Sequence, residues 1–380
     1  MYDDSYYHNP MQDDMLAVID SMETDSLLVD AEGHSTLAAN DKGWRVDLIE
    51  VDKRLQGLMD TGYLLMGQRL IQPIGFNSDQ VTLSPDEILD TLISAYTVLV
   101  WQFQLSEVGQ YYRPSPYASR FLQAFSSSAY LHEAAFQQPP VMSRQAANAT
   151  VNELNQRLDA WYRSMNEPSF QYEFRRNQRN SEKNYQRFWA FFDALQANHS
   201  RLQIVRVDCE YTQEDSPNIT HDIACHHREQ LCHRVRNHYP ALVGYLWKLE
   251  WGPKTGFHYH FIFFFDGHQV RQDITLGEQI GMLWARQITG AQGRYFNCNR
   301  GAEKRYKHNA LGACNYHDMN KRIGLDNLAR YLTKVDEQVV MTTPGRIFQT
   351  SKAPAIPEGP RPGRPRQFAE SWSVGDVDFP

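Results

Sequence analysis

Apolar residues recur at different spacings in the two halves of the chain. Across Val46–Leu70 they return every three or four residues, the period of a helix with one buried face. The next helical stretch opens with Ser84 as its expected N-cap, Pro85 at the first helical position and acidic residues in the first turn. Its apolar centre, LISAYTVLVWQF (Leu92 to Phe103), is shorter than the roughly 20 residues a bilayer crossing needs and reads as a buried core helix. Helical spacing holds from Trp44 to about Ala135. Pro139 and Pro140, in FQQPPVMSRQ, then interrupt it and mark a domain boundary. A bridging helical segment follows from about Asn152 to Ala197.

Beyond Ala197 strands alternate with helices. RLQIVRVDCEY (Arg201–Tyr211) alternates as a half-buried strand does. A helix over His221–Tyr239, two strands joined by GPKTG (ALVGYLWKLEW and FHYHFIFFF), a helix over Thr275–Ile288, a short strand GRYFNCN and a helix over Gly324–Asp336 complete the pattern. Hairpins mixed with helices predict an α+β fold with a largely antiparallel sheet, preceded by an all-helical N-terminal region. The expected organisation is an acidic flexible leader (1–30), a helical accessory domain (31–150), an α+β domain with a leading basic helix (151–343) and a Pro/Arg-rich tail (344–380). No internal repeat is visible.

With 42% hydrophobic and 22% charged residues, the composition is that of a globular protein. The acidic opening lacks the basic-then-apolar order of a secretory signal. The 5 irregularly spaced cysteines suit a reducing cytoplasm better than a disulfide framework, so the expected location is the cytoplasm of a bacterial host, with no membrane partner. A net charge of -7 argues against a protein that coats nucleic acid over its whole surface. Basic residues nevertheless gather at 175–187, 300–307 and 361–366. Arg175, Arg179, Lys183 and Arg187 repeat every four residues with Tyr172 and Tyr185 among them, forming one helical stripe that suits either a DNA backbone or solvent.

Chemistry concentrates in GFHYHFIFFFDG. His258 and His260 share one face of the strand with Ile262 and Phe264, while Phe257, Tyr259, Phe261, Phe263 and Phe265 take the other. A symmetric loop centred on Lys254 pairs Glu250 with His258 and Lys248 with His260. Two imidazoles and a carboxylate would then converge as three ligands with open coordination positions. A bulge in the loop would send Glu250 to the opposite face instead, leaving two ordinary half-exposed histidines. On the preceding strand Arg206, Asp208 and Glu210 form a polar face that borders the site or meets water. Tyr331 and Lys334, three apart on a helix, are neighbours opposite Leu325, Leu328 and Leu332. A cation beside a phenol favours the phenolate, which can attack a phosphodiester.

The order of these parts, LEWGPKTGFHYH followed by ARYLTK, resembles the HUH endonucleases, which nick single-stranded DNA. Within them the likeness is to replication initiators of the filamentous-phage gene II protein type, including the YagK/YfjJ (inovirus Gp2) proteins of prophages. It covers about Asn184 to Thr343. The resemblance implies an HUH (ferredoxin-like/RRM-like) nuclease domain holding Mg2+ or Mn2+ on His258, His260 and Glu250. It implies Tyr331 as the nucleophile that remains on the 5′ phosphate, and Lys334 as its helper. The implied function is metal-dependent nicking and joining of single-stranded DNA at a replication origin, starting rolling-circle replication of a phage, prophage or plasmid-like element, with a host helicase or polymerase as a further partner. Lys248, Arg206 and the basic stripe would meet DNA. Members with two tyrosines carry the second one turn away, where this chain has Asn327; Tyr316 is the other candidate. Two further readings stand beside this one: a non-cleaving DNA-binding regulator of a mobile element, and an iron oxygenase with two histidines and one carboxylate, which gives Tyr331 no role. The CHHREQLCH segment lacks a second ligand pair at zinc spacing and reads as a buried cysteine pair. Arg361, Arg364 and Arg366 of the tail read as a basic linker.

Overall fold

The chain is described by a computed structural model covering residues 27–37, 43–60, 70–74, 79–84 and 86–356. The leader up to residue 26, Pro85 and the tail arginines lie outside the described residues. In chain order the strands are β1 (Leu27–Val29), β2 (Ser35–Leu37), β3 (Ile71–Pro73), β4 (Gln80–Leu83), β5 (Tyr112–Pro114), β6 (Met142–Ser143), β7 (Arg201–Tyr211), β8 (Leu242–Gly252), β9 (Gly256–Asp266), β10 (Gly293–Asn297), β11 (Gly312–Asn315), β12 (Val339–Met341) and β13 (Phe348–Thr350).

The main sheet runs β13-β8-β9-β7-β10-β1-β2, with β11 beside the start of β7, and these pairings are antiparallel. Near-continuous apolar sequence in β9 suits its central place, where both faces are covered. Phe257, Tyr259, Phe261, Phe263 and Phe265 pack with Leu231 and Val235 of helix His221–His238, Ile280 of helix Asp273–Met282, and Trp284. On the other face, Ile262 and Phe264 meet Phe188, Phe191 and Phe192 of helix Pro168–Asn198 and Leu325, Leu328 and Leu332 of helix Met319–Lys334. The α+β class and antiparallel sheet thus follow from the alternation in sequence.

Other expectations need correction. The N-terminal region is predominantly helical, with helices Gly43–Asp60, Glu87–Val100, Pro116–Phe125 and Ala129–Phe136, but it also contains β3 to β6. The helix expected to begin at Ser84 is capped by Asp86, whose Oδ1 accepts the Leu89 amide at 2.9 Å. The Ser84 amide instead donates to Leu70 O at 2.8 Å, extending the β3–β4 hairpin. The apolar helix is longer than read: with a π-turn it runs unbroken for 19 residues, Glu87–Leu105, long and apolar enough to cross a membrane by composition. Leu89, Leu92, Tyr96 and Leu99 on it are nevertheless buried against other helices. β1 and β2 extend the main sheet, β12 pairs with β5, and β13 of the expected tail pairs with β8, so pairing crosses the boundaries expected near 150 and 343.

Asp52, on the first of these helices, is buried and accepts hydrogen bonds from Ser115 Oγ and, at 3.2 Å, from Gln56 Nε2. Burial outweighs these bonds and pushes its carboxyl from 3.8 up to about 7. The native state therefore holds a proton that the unfolded chain releases, and stability falls as pH rises from about 4 to 7. Asp52→Asn is expected to raise the thermal midpoint at pH 8 by about 2–4 °C and to have less effect at pH 4.5, as scanning calorimetry at the two pH values would report.

Candidate metal and nucleophile site

The site starts from a turn. Gly252 pairs with Gly256, closing the loop, and the register continues Trp251 with Phe257, Glu250 with His258 and Lys248 with His260; the one irregularity in the pair lies far away, between Leu242 and Gly244. Gly256 adopts φ +64° and an added Cβ would sit 2.1 Å from Ser216 Oγ, so this position admits only glycine without rearrangement. Ser216 Oγ donates to Thr255 O at 2.9 Å and ties the turn down.

Pairing in this register puts Glu250 between the imidazoles. Its Oε2 lies 3.3 Å from His260 Nε2 and 3.5 Å from His258 Nε2, and all three side chains are buried. The three can offer one ligand atom each, all within 4.8 Å of one another. Each imidazole is oriented from behind. His258 Nδ1 lies 3.1 Å from Gly256 O, and His260 Nδ1 lies 3.0 Å from Asp208 Oδ1, so each Nε2 faces Glu250. A carboxylate behind a histidine is the usual support of a metal ligand. Asp208 is itself gripped by Arg206, through Nε at 2.9 Å and Nη2 at 2.8 Å. Glu210, on the same face of β7, lies 3.2 Å from Arg294 instead.

These contacts set the charges. Burial disfavours the Glu250 anion, but Arg45 and the two histidines outweigh it and hold the carboxyl well below its ordinary value. Asp208 is likewise held low against burial by Arg206 and His260. Burial opposes the His260 cation, yet Asp208 and Glu250 push its pKa up to about 9. One carboxylate and two imidazoles with matching lone pairs fit a divalent ion that retains open positions.

Tyr331 completes the convergence. Its Oη lies 3.3 Å from His260 Nε2, and the Arg206 guanidinium carbon is 5.4 Å from its ring centroid. Lys334 does not take the place expected beside the phenol. The ammonium is committed to Glu182 at 2.6 Å and Glu337 at 3.5 Å, because the three-residue step turns it toward helix Pro168–Asn198 while Tyr331 faces the sheet. The Arg206 guanidinium is a cation that faces the Tyr331 ring. Lys248 and Arg206 are buried, Lys248 on Asp336 at 2.6 Å, so neither offers a surface contact to DNA. Arg175, Arg179, Lys183 and Arg187 are all exposed along their helix, together with Tyr172, whereas Tyr185 is buried. Tyr316 follows β11 at the far end of β7: Asn315 pairs with Arg201, seven residues or about 20 Å from Asp208. The histidines and cysteines of helix His221–His238 belong to neither of the two potential metal-holding groups among the described residues.

Two participants escaped sequence reading. Asp208 was visible on a polar face, but its pairing with His260 follows from the β7–β9 register. Arg45 comes from helix Gly43–Asp60, where its Nη1 donates to Glu250 Oε2, and nothing in its surroundings in sequence marks it. Nearby, Tyr112 Oη donates to Trp251 O at 2.9 Å and accepts from Trp251 N at 3.0 Å, clamping the end of the hairpin.

A cation entering this pocket must displace the His260 proton. Apparent Mn2+ affinity is therefore expected to rise about tenfold per pH unit between pH 6.5 and 9 and then level off, read by calorimetric titration. His260→Ala should bind Mn2+ at least about tenfold more weakly and lose that slope.

No curated protein and no solved structure matches this chain. Residues 165–340, which include Arg206, Asp208, Glu250, His258, His260 and Tyr331, match the family model of the YagK/YfjJ C-terminal domain.

Proposed function

We propose that the protein is an HUH-type nuclease that nicks and rejoins single-stranded DNA through Tyr331, serving replication initiation on a mobile element. The observation that carries this reading is the 3.3 Å approach of Tyr331 Oη to His260 Nε2, inside a cluster of two histidines and a glutamate. A phenol so placed has a phosphodiester as its natural electrophile. Glu250, His258 and His260 would hold Mg2+ or Mn2+, which, when bound, supplies Lewis-acid polarisation of a phosphoryl oxygen.

The residues divide the remaining work. Asp208 and Gly256 O fix the two rings, and Arg206 fixes Asp208 while its cation faces the Tyr331 ring. Tyr331 Oη forms a bond to phosphorus as the P–O3′ bond breaks. The phenolic proton leaves, the departing 3′ oxygen takes one up, and the products are a 5′-phosphotyrosine and a free 3′ hydroxyl. Attack by a 3′ hydroxyl on that linkage reverses the step and rejoins the strand. The exposed stripe of Arg175, Arg179, Lys183 and Arg187 would carry the phosphate backbone.

Tyr331 is 2% exposed, so a covering segment has to move before a strand reaches it. The test is a denaturing gel of labelled single-stranded DNA incubated with protein and Mn2+. Wild type should give a covalent adduct that EDTA prevents, and Tyr331→Phe should reduce it at least about a hundredfold. An equal adduct from Tyr331→Phe removes Tyr331 as nucleophile. Specific DNA binding without any adduct would favour the regulator.

A further inference from the structure

The oxygen that faces both imidazoles is also the one claimed by Arg45. Arg45 Nη1 donates to Glu250 Oε2, the atom 3.3 Å from His260 Nε2 and 3.5 Å from His258 Nε2. Its Nη2 lies 3.4 Å from both Tyr112 Oη and Trp251 O, and its guanidinium carbon is 5.2 Å from the ring of Trp44. The Trp44 ring in turn sits 5.1 Å from Tyr112. Arg45 is 8% exposed, so its charge is compensated here by Glu250 rather than by solvent.

Arg45 with Glu250, Arg206 with Asp208, and Lys248 with Asp336 are three cations on three carboxylates. The one carboxylate among the three candidate ligands is thus already paired with a guanidinium. A divalent cation among Glu250, His258 and His260 would put its positive charge beside a guanidinium on the same carboxylate, in surroundings that screen poorly. Displacing Arg45 relieves that repulsion. Because Trp44 and Arg45 form the first turn of helix Gly43–Asp60, the start of that helix would leave with them.

We propose that Arg45 competes with the divalent cation for Glu250, so that docking of helix Gly43–Asp60 and metal binding oppose each other. The inference rests on the metal reading of the same three residues. It makes the N-terminal region, outside the matched 165–340 span, a gate whose release by the cation uncovers the Glu250 side of the pocket.

The experiment uses the full chain and Mn2+ alone. Calorimetric titration of wild type and Arg45→Gln, which keeps a donor for Glu250 but removes the charge, should show about tenfold tighter binding in the variant. Arg45→Lys, which keeps the charge, should stay within about twofold of wild type. Independently of any variant, hydrogen exchange at the amides of residues 43–50 in wild type should accelerate several-fold on saturation with Mn2+. Equal or weaker Mn2+ binding by Arg45→Gln overturns the proposal, as does exchange at 43–50 that Mn2+ leaves unchanged or slows. Failure of both wild type and Arg45→Gln to take up Mn2+ removes the metal reading itself.

Discussion

A carboxylate out of contact with water survives as an anion only when other groups surround it with positive charge or hydrogen bonds, and Glu250 meets that demand from three sides. Arg45 reaches it from the N-terminal helix, His258 from the paired strand position and His260 from the position two residues further on. Removing one member of such a set leaves a buried charge partly uncompensated, at a cost of about 3–5 kcal/mol. The same demand repeats outward: His260 on Asp208, Asp208 on Arg206, Lys248 on Asp336. Arg45, Glu250, His258, His260, Asp208 and Arg206 thus form one connected network, with Lys248 of the paired strand and Asp336 as a separate ion pair.

That network exists because β8 and β9 pair without a slip near their turn. A shift of one residue would put Glu250 on the aromatic face and leave the two imidazoles without the carboxylate that faces both Nε2 atoms. Ser216 against Gly256, and Tyr112 on both backbone polar groups of Trp251, hold the hairpin end from two directions. The Tyr111 ring, stacked on Trp251 with centroids 4.2 Å apart, adds a third.

Local pattern carried a large part of this into the sequence. The two-residue period of β9 and its symmetric loop suffice to bring Glu250, His258 and His260 to one side of one sheet, whereas the place of Tyr331 beside them is implied by the family resemblance and not by helical spacing. What stayed hidden depends on contacts between distant segments. Arg45 looks like any polar residue near a helix start, and only tertiary packing puts it on Glu250. Lys334 turns away from the phenol because neighbours on a helix can still face different layers, and a three-residue step is enough to separate the sheet from the adjoining helix. Short strands such as β1, β5, β12 and β13 have too few residues to show a period, and their existence depends on a partner edge.

The pairing of β12 with β5 ties the chain just beyond the tyrosine helix to the segment that bears Tyr111 and Tyr112. Cutting the protein at the boundary its family match suggests would sever this ribbon along with the Arg45 contact. The remaining fragment would carry an unpatched β12 edge, a bared Trp251 ring and an acid stripped of its guanidinium, all features that invite self-association. The first third of the chain is therefore part of the architecture of the portion that bears the candidate site rather than an appendage to it.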